Sequence, residues 1–73
     1  MSEDIISMLS NMGALERDKA ISAKLLSNSD RLKHLHVDED IRVLEEKGYI
    51  KRAEQDKVYL TESGLVRALS RFS

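Results

Sequence analysis

Cysteine, proline and tryptophan are all missing from these 73 residues. Without cysteine there is no disulfide framework and no thiolate metal site, which fits a cytoplasmic setting. Without proline nothing marks a stiff linker, and the length leaves room for one domain, residues 1–73, with one small core. Aromatic residues are scarce, two tyrosines and one phenylalanine, so little of a ligand pocket is expected. No apolar run approaches the roughly 18–20 residues that cross a bilayer. The opening MSEDIISML is acidic where an export leader would be basic, so neither a membrane partner nor export is expected.

What is present is a globular balance, 41% hydrophobic against 34% charged, which favours a folded chain over a disordered one. A core this small rarely holds more than about 3–5 kcal/mol, so a partner or a second copy is a reasonable expectation. The net charge of −1 excludes an all-over basic coat of the nucleoid kind. Its distribution is uneven. The stretch 37–48 sets Asp38, Glu39, Asp40, Glu45 and Glu46 against Arg42 and Lys47. On one side lie Arg31 and Lys33, and on the other Lys51, Arg52 and Lys57. Positive charge flanks an acidic segment.

Periodicity divides the chain. Ile5, Met8, Leu9 and Met12 fall at helical spacing, and Gly13 is a stop. Ile21 and Leu25 share a face of a second helical segment, with Asp18 as candidate N-cap. Ser27-Asn28-Ser29 breaks it. The stretch 27–36 then reads either as a turn with a short helix around Leu32 and Leu35 or as a helix extension. Val37, Ile41 and Leu44 define a third helix over about 37–47, closed by Gly48. The period then shortens toward two. Strands are predicted at about 49–53 and 57–61, joined at Glu54-Gln55-Asp56, with Ile50, Val58 and Leu60 inward and Tyr59 outward. Thr61 caps a last helix whose Leu65, Leu69 and Phe72 point inward with Val66 alongside. Ile6, Leu15, Val66 and Phe72 exceed what one small core needs, and predict a homodimer seam between the terminal helices.

The string Val37, Ile41, Leu44, Glu45, Gly48, Tyr49, Ile50, Arg52, then Val58, Leu60, Thr61, Glu62 and Gly64, resembles the second half of a winged helix-turn-helix domain, as in small MarR-like and PadR-like regulators. The likeness follows the order of elements over roughly 18–65 and is specific over 41–64. It implies an α+β, mostly helical fold: three core helices, a two-stranded β-hairpin wing and a C-terminal helix. It also implies DNA binding for transcription regulation, with the third helix in the major groove and the wing on phosphates. On that reading Arg31, Lys33, Lys51, Arg52 and Lys57 hold phosphates, Arg42 reaches a base edge or phosphate, and Tyr59 rests on a sugar or a partner surface.

The chain departs from that pattern at Asp38, Glu39 and Asp40, where DNA-binding members usually have Ser, Thr, Arg, Gln or Asn. The turn before the third helix also lacks glycine. Three readings of the acids stay open. Carboxylates favour a helix N-terminus; they repel phosphates unless they read cytosine; and they fit a basic protein partner. The alternative function is therefore a winged helix used as a protein–protein interaction module. His34, His36, Asp38 and Asp40 form an HxHxDxD string, but its spacing suits neither a zinc finger nor a helical ligand pair, so no metal is expected. No nucleophile–base arrangement and no glycine-rich phosphate loop is present, so neither an enzyme nor a cofactor is expected.

Overall fold

The computed structural model describes residues 2–29 and 36–70. In chain order these form α1 (Ser2–Asn11), a 3-10 turn (Arg17–Lys19), β1 (Ile21–Ser22), α2 (Ala23–Ser27), α3 (Val37–Glu46), β2 (Ile50–Arg52), β3 (Lys57–Leu60) and α4 (Glu62–Ser70). The class is α+β: four α-helices around one three-stranded antiparallel sheet among the described residues. The sheet order is β1-β3-β2, so β3 is central. Ile50 pairs with Leu60, Lys51 with Tyr59 and Arg52 with Val58, while Ile21 and Ser22 of β1 pair with Val58 and Lys57.

Two glycines end two helices in the same way. After α1, Gly13 has φ +74°, its N–H donates to the Ser10 carbonyl, and the Ala14 N–H reaches back to the Leu9 carbonyl at 3.0 Å. After α3, Gly48 has φ +81°, its N–H donates to the Glu45 carbonyl, and the Tyr49 N–H reaches the Leu44 carbonyl at 2.9 Å. Both are Schellman closures, which need a left-handed residue that glycine supplies without a Cβ clash. In each, an apolar residue beyond the glycine sits near the last turn, so the chain leaves the helix already aimed at the core. The expected positions of Gly13 and Gly48 therefore hold.

The core joins Ile5, Ile6 and Leu9 of α1, Ala14 of the turn after it, Ala23 and Leu26 of α2, Val37, Ile41 and Leu44 of α3, Ile50, Val58 and Leu60 of the sheet, and Ala68 of α4. Alternation puts Ile50, Val58 and Leu60 on one sheet face, as the period-two reading expects. The strands are trimmed by a residue at their ends, where the chain turns into neighbouring elements. Between β2 and β3, Gln55 takes φ +56° in a tight turn closed by the Ala53 N–H on the Lys57 carbonyl and the Lys57 N–H on the Glu54 carbonyl.

Five expectations need correction. The sheet has a third strand, β1, so the hairpin is not two-stranded in isolation. A two-residue strand leaves no periodic trace, and only pairing with β3 defines it. Ile21 lies in that strand, and in α2 it is Ala23 and Leu26 that are buried while Leu25 is 56% exposed. The α2 cap is Ser22, whose Oγ accepts from the Lys24 N–H at 3.2 Å, and not Asp18. Ile6 of α1 is buried and Met12, just past the helix end, is exposed, so Ile6 belongs to the core and not to a dimer seam.

The fifth concerns α4. Its inward face is Gly64 and Ala68, while Val66 and Leu69 are exposed and Leu65 is half-buried. Thr61 caps the helix as expected: its Oγ1 accepts from the Gly64 N–H and donates to the Gly48 carbonyl, and its own N–H donates to the Tyr49 carbonyl. These bonds draw α4 so close to the α3–β2 turn that a Cβ on Gly64 would lie 2.0 Å from the Tyr49 carbonyl oxygen. The expectation for Phe72, and that for Leu32 and Leu35, lie outside the described residues.

Candidate nucleic-acid interface

Helix α3 presents its charged side outward because Val37, Ile41 and Leu44, at i, i+4 and i+7, fix the opposite side in the core. Asp38 and Glu39 are exposed and Asp40 is half-buried. His36 precedes the helix and gives no side-chain cap. These three acids stand in the first turn, where negative charge suits the end of the helix. Arg42 is exposed on the same helix, with Asp38 and Glu46 four residues to either side and Glu45 three residues on. Its cation stands in an acidic neighbourhood. Val43, 40% exposed, adds an apolar spot to the outer surface.

The hairpin is the basic counterpart. Register places Lys51 directly opposite Tyr59, and alternation puts Lys57 on that same face, away from Val58 and Leu60. Lys51 and Lys57 are exposed, while the Tyr59 ring is half-buried and packs on the edge of the core. Tyr59 thus sits on the outward face the alternation predicts, with only part of its ring open to solvent. Among the described residues, Arg42, Lys51 and Lys57 make no ion pair. Lys57 also borders an open depression of about 560 Å³ shared with Glu16, Arg17, Asp18 and Glu54. Charge there is mixed, so the basic character is confined to the face around Tyr59.

Arg52 behaves differently from its neighbour. It lies on the Ile50 side of β2, toward α3, and its Nε donates to Glu45 Oε1 at 3.0 Å. The sequence reading missed this partnership. A signal existed: Glu45 and Arg52 stand three residues before and four after Gly48, and a tight reversal at that glycine brings such positions together. The hairpin tip is also held down. Ser22 Oγ donates to Asp56 Oδ2 at 3.2 Å, and the Ala23 N–H donates to the Asp56 carbonyl at 2.8 Å. These bonds tie the tip to the start of α2.

Structure thus brings Lys51, Tyr59 and Lys57 together, sets Arg42 apart on α3, and pairs Arg52 internally. Arg31, Lys33 and His34 lie outside the described residues. Within the described part no group of three or more His, Asp or Glu is placed to hold a metal, and no helix is long and apolar enough to cross a membrane. No protein-family model, curated protein or solved structure matches the chain.

Proposed function

We propose that the chain is a winged-helix domain that binds duplex DNA as a transcriptional regulator, a binding module and not an enzyme. The order α1-β1-α2-α3-β2-β3, with β3 central in the sheet, supports the winged-helix reading. α3 would lie toward the groove and the β2–β3 hairpin along the phosphates. The observation that carries the DNA reading is the hairpin face on which two unpaired lysines, Lys51 and Lys57, flank Tyr59. Ammonium groups on exposed strands meet phosphates by releasing counterions, and a half-exposed ring adds contact area against a sugar. Arg42 supplies a further cation from α3, and Arg31 and Lys33 complete the set. A homodimer through the terminal helices would present two such surfaces to two half-sites; Val66 and Leu69 of α4 are the exposed apolar residues a second copy would cover.

The test is fluorescence anisotropy with a labelled random duplex between about 50 and 200 mM salt, the range over which phosphate contacts show. Micromolar binding that collapses with salt is expected. Lys51→Ala with Lys57→Ala should flatten the slope of log K against log salt by about 1.8, two phosphates' worth. A folded protein that does not bind at low salt sinks the reading.

The second reading, a protein–protein interaction module, is favoured by one observation: Asp38 and Glu39 are exposed on α3 with Val43 open on the same helix. That surface suits a basic partner with an apolar anchor. Replacing Asp38, Glu39 and Asp40 by Asn or Gln separates the two, since it strengthens DNA binding but weakens a basic-partner contact.

A further inference from the structure

The hairpin's two adjacent cations face opposite ways. Lys51 shares the outer face with Tyr59 and Lys57, while Arg52 turns toward α3 and meets Glu45. Both partners remain substantially open to water, at 44% and 39% of their side-chain surface. An exposed pair of two long side chains is weakly held, so it exchanges readily with another anion in reach. A carboxylate and a backbone phosphate offer a guanidinium the same kind of acceptor, two oxygens carrying shared negative charge. Glu45 also lies on the helix side that bears Asp38, Arg42 and Glu46, so any duplex meeting Arg42 passes close to the pair.

We propose that Glu45 is a built-in substitute for a DNA phosphate: it occupies Arg52 in the free protein and yields it to the duplex. The inference rests on the DNA-binding reading above and names a residue that sets its strength without touching DNA. Arg52 is then a reserve contact, held in place by α3 until a phosphate takes over. The pair spans the Gly48 reversal, joining β2 of the hairpin to α3.

The experiment is a double-mutant cycle on duplex affinity and salt slope, with Glu45→Gln, Arg52→Ala and both together, each checked for folding by thermal melting. Glu45→Gln keeps the side-chain shape and removes the charge. It is expected to tighten binding about two- to threefold, the worth of an exposed ion pair. It should also steepen the salt slope, by at most about 0.9, because a Glu45 that has lost Arg52 takes up a counterion and a glutamine does not. With Arg52→Ala present, both gains should vanish. If Glu45→Gln tightens binding equally with and without Arg52, Glu45 acts only by repulsion, and the inference fails while the DNA reading stands. An unchanged slope or weaker binding in folded Glu45→Gln has the same meaning. If neither the parent protein nor Glu45→Gln binds at low salt while folded, the DNA reading itself falls, and this inference with it.

Discussion

Helices α3 and α4 are nearly equal in length and close on the same core, yet they bury opposite kinds of residue. α3 puts Val37, Ile41 and Leu44 inside and leaves charge outside. α4 puts Gly64 and Ala68 inside and leaves Val66 and Leu69 outside. The difference is one of distance. α3 stands off far enough for full side chains to fill the gap, and gains its hold from apolar burial. α4 is drawn in by backbone and hydroxyl bonds at Thr61, and comes so near the Tyr49 carbonyl that only hydrogen fits at position 64. One helix is held by what it buries, the other by how closely it can approach. The outer surface of α3 is therefore free to hold acids without loss to the core.

The sharpest way to break this contrast is Gly64→Ala. The added methyl would meet a backbone oxygen that a rotamer change cannot move, so α4 must shift bodily. The expected loss is about 3 kcal/mol or more, at the upper end of overpacking, read as a fall in the urea midpoint. In a domain this small that leaves little folded protein; a change under about 0.5 kcal/mol would show that α4 can slide, which its capping bonds do not allow. The same operation on α3 is Ile41→Ala, which opens a cavity where the side chain is 1% exposed. About 2.5 kcal/mol is expected, near the lower end for such deletions because a small core relaxes easily. The smallest effect belongs to Val66→Ser with Leu69→Ser. In dilute solution stability should move by less than about 0.5 kcal/mol, since neither side chain is in the core. At high micromolar concentration the same pair should convert a dimer to monomer in sedimentation; a parent protein that stays monomeric there would leave α4's outer face without a second copy.

Much of α3 and the hairpin was legible in sequence because there periodicity and burial coincide. Val37, Ile41 and Leu44 repeat at the helix period, Gly48 marks the stop, and Ile50, Val58 and Leu60 alternate at the strand period. Asp38, Glu39 and the lysines at 51 and 57 inherit their outward positions from those patterns. α4 misled for a clear reason: its large apolar residues form a stripe, and a stripe of that kind normally marks the buried side. Gly64 read only as part of a family-like motif, since nothing in its neighbours announces how near another backbone will come. β1 was invisible because two residues have no period. Ile6 was counted as surplus because α1 turns slightly more of its Ile5–Ile6 side inward than a strict i, i+3, i+4 stripe allows.

The sequence by itself determined where the chain reverses, which residues of α3 and the hairpin go inside, and that basic and acidic segments alternate. Those properties depend on local geometry: side-chain period, a glycine's access to positive φ, and a hydroxyl placed to cap a helix. Tertiary structure alone decided that α4 docks through its smallest residues and that Ser22 and Asp56 tie the hairpin tip to α2. Each of these depends on the distance between segments far apart in the chain, or on the angle at which a turn delivers them. A residue pattern records which side of an element is apolar; it does not record how closely the next element will come.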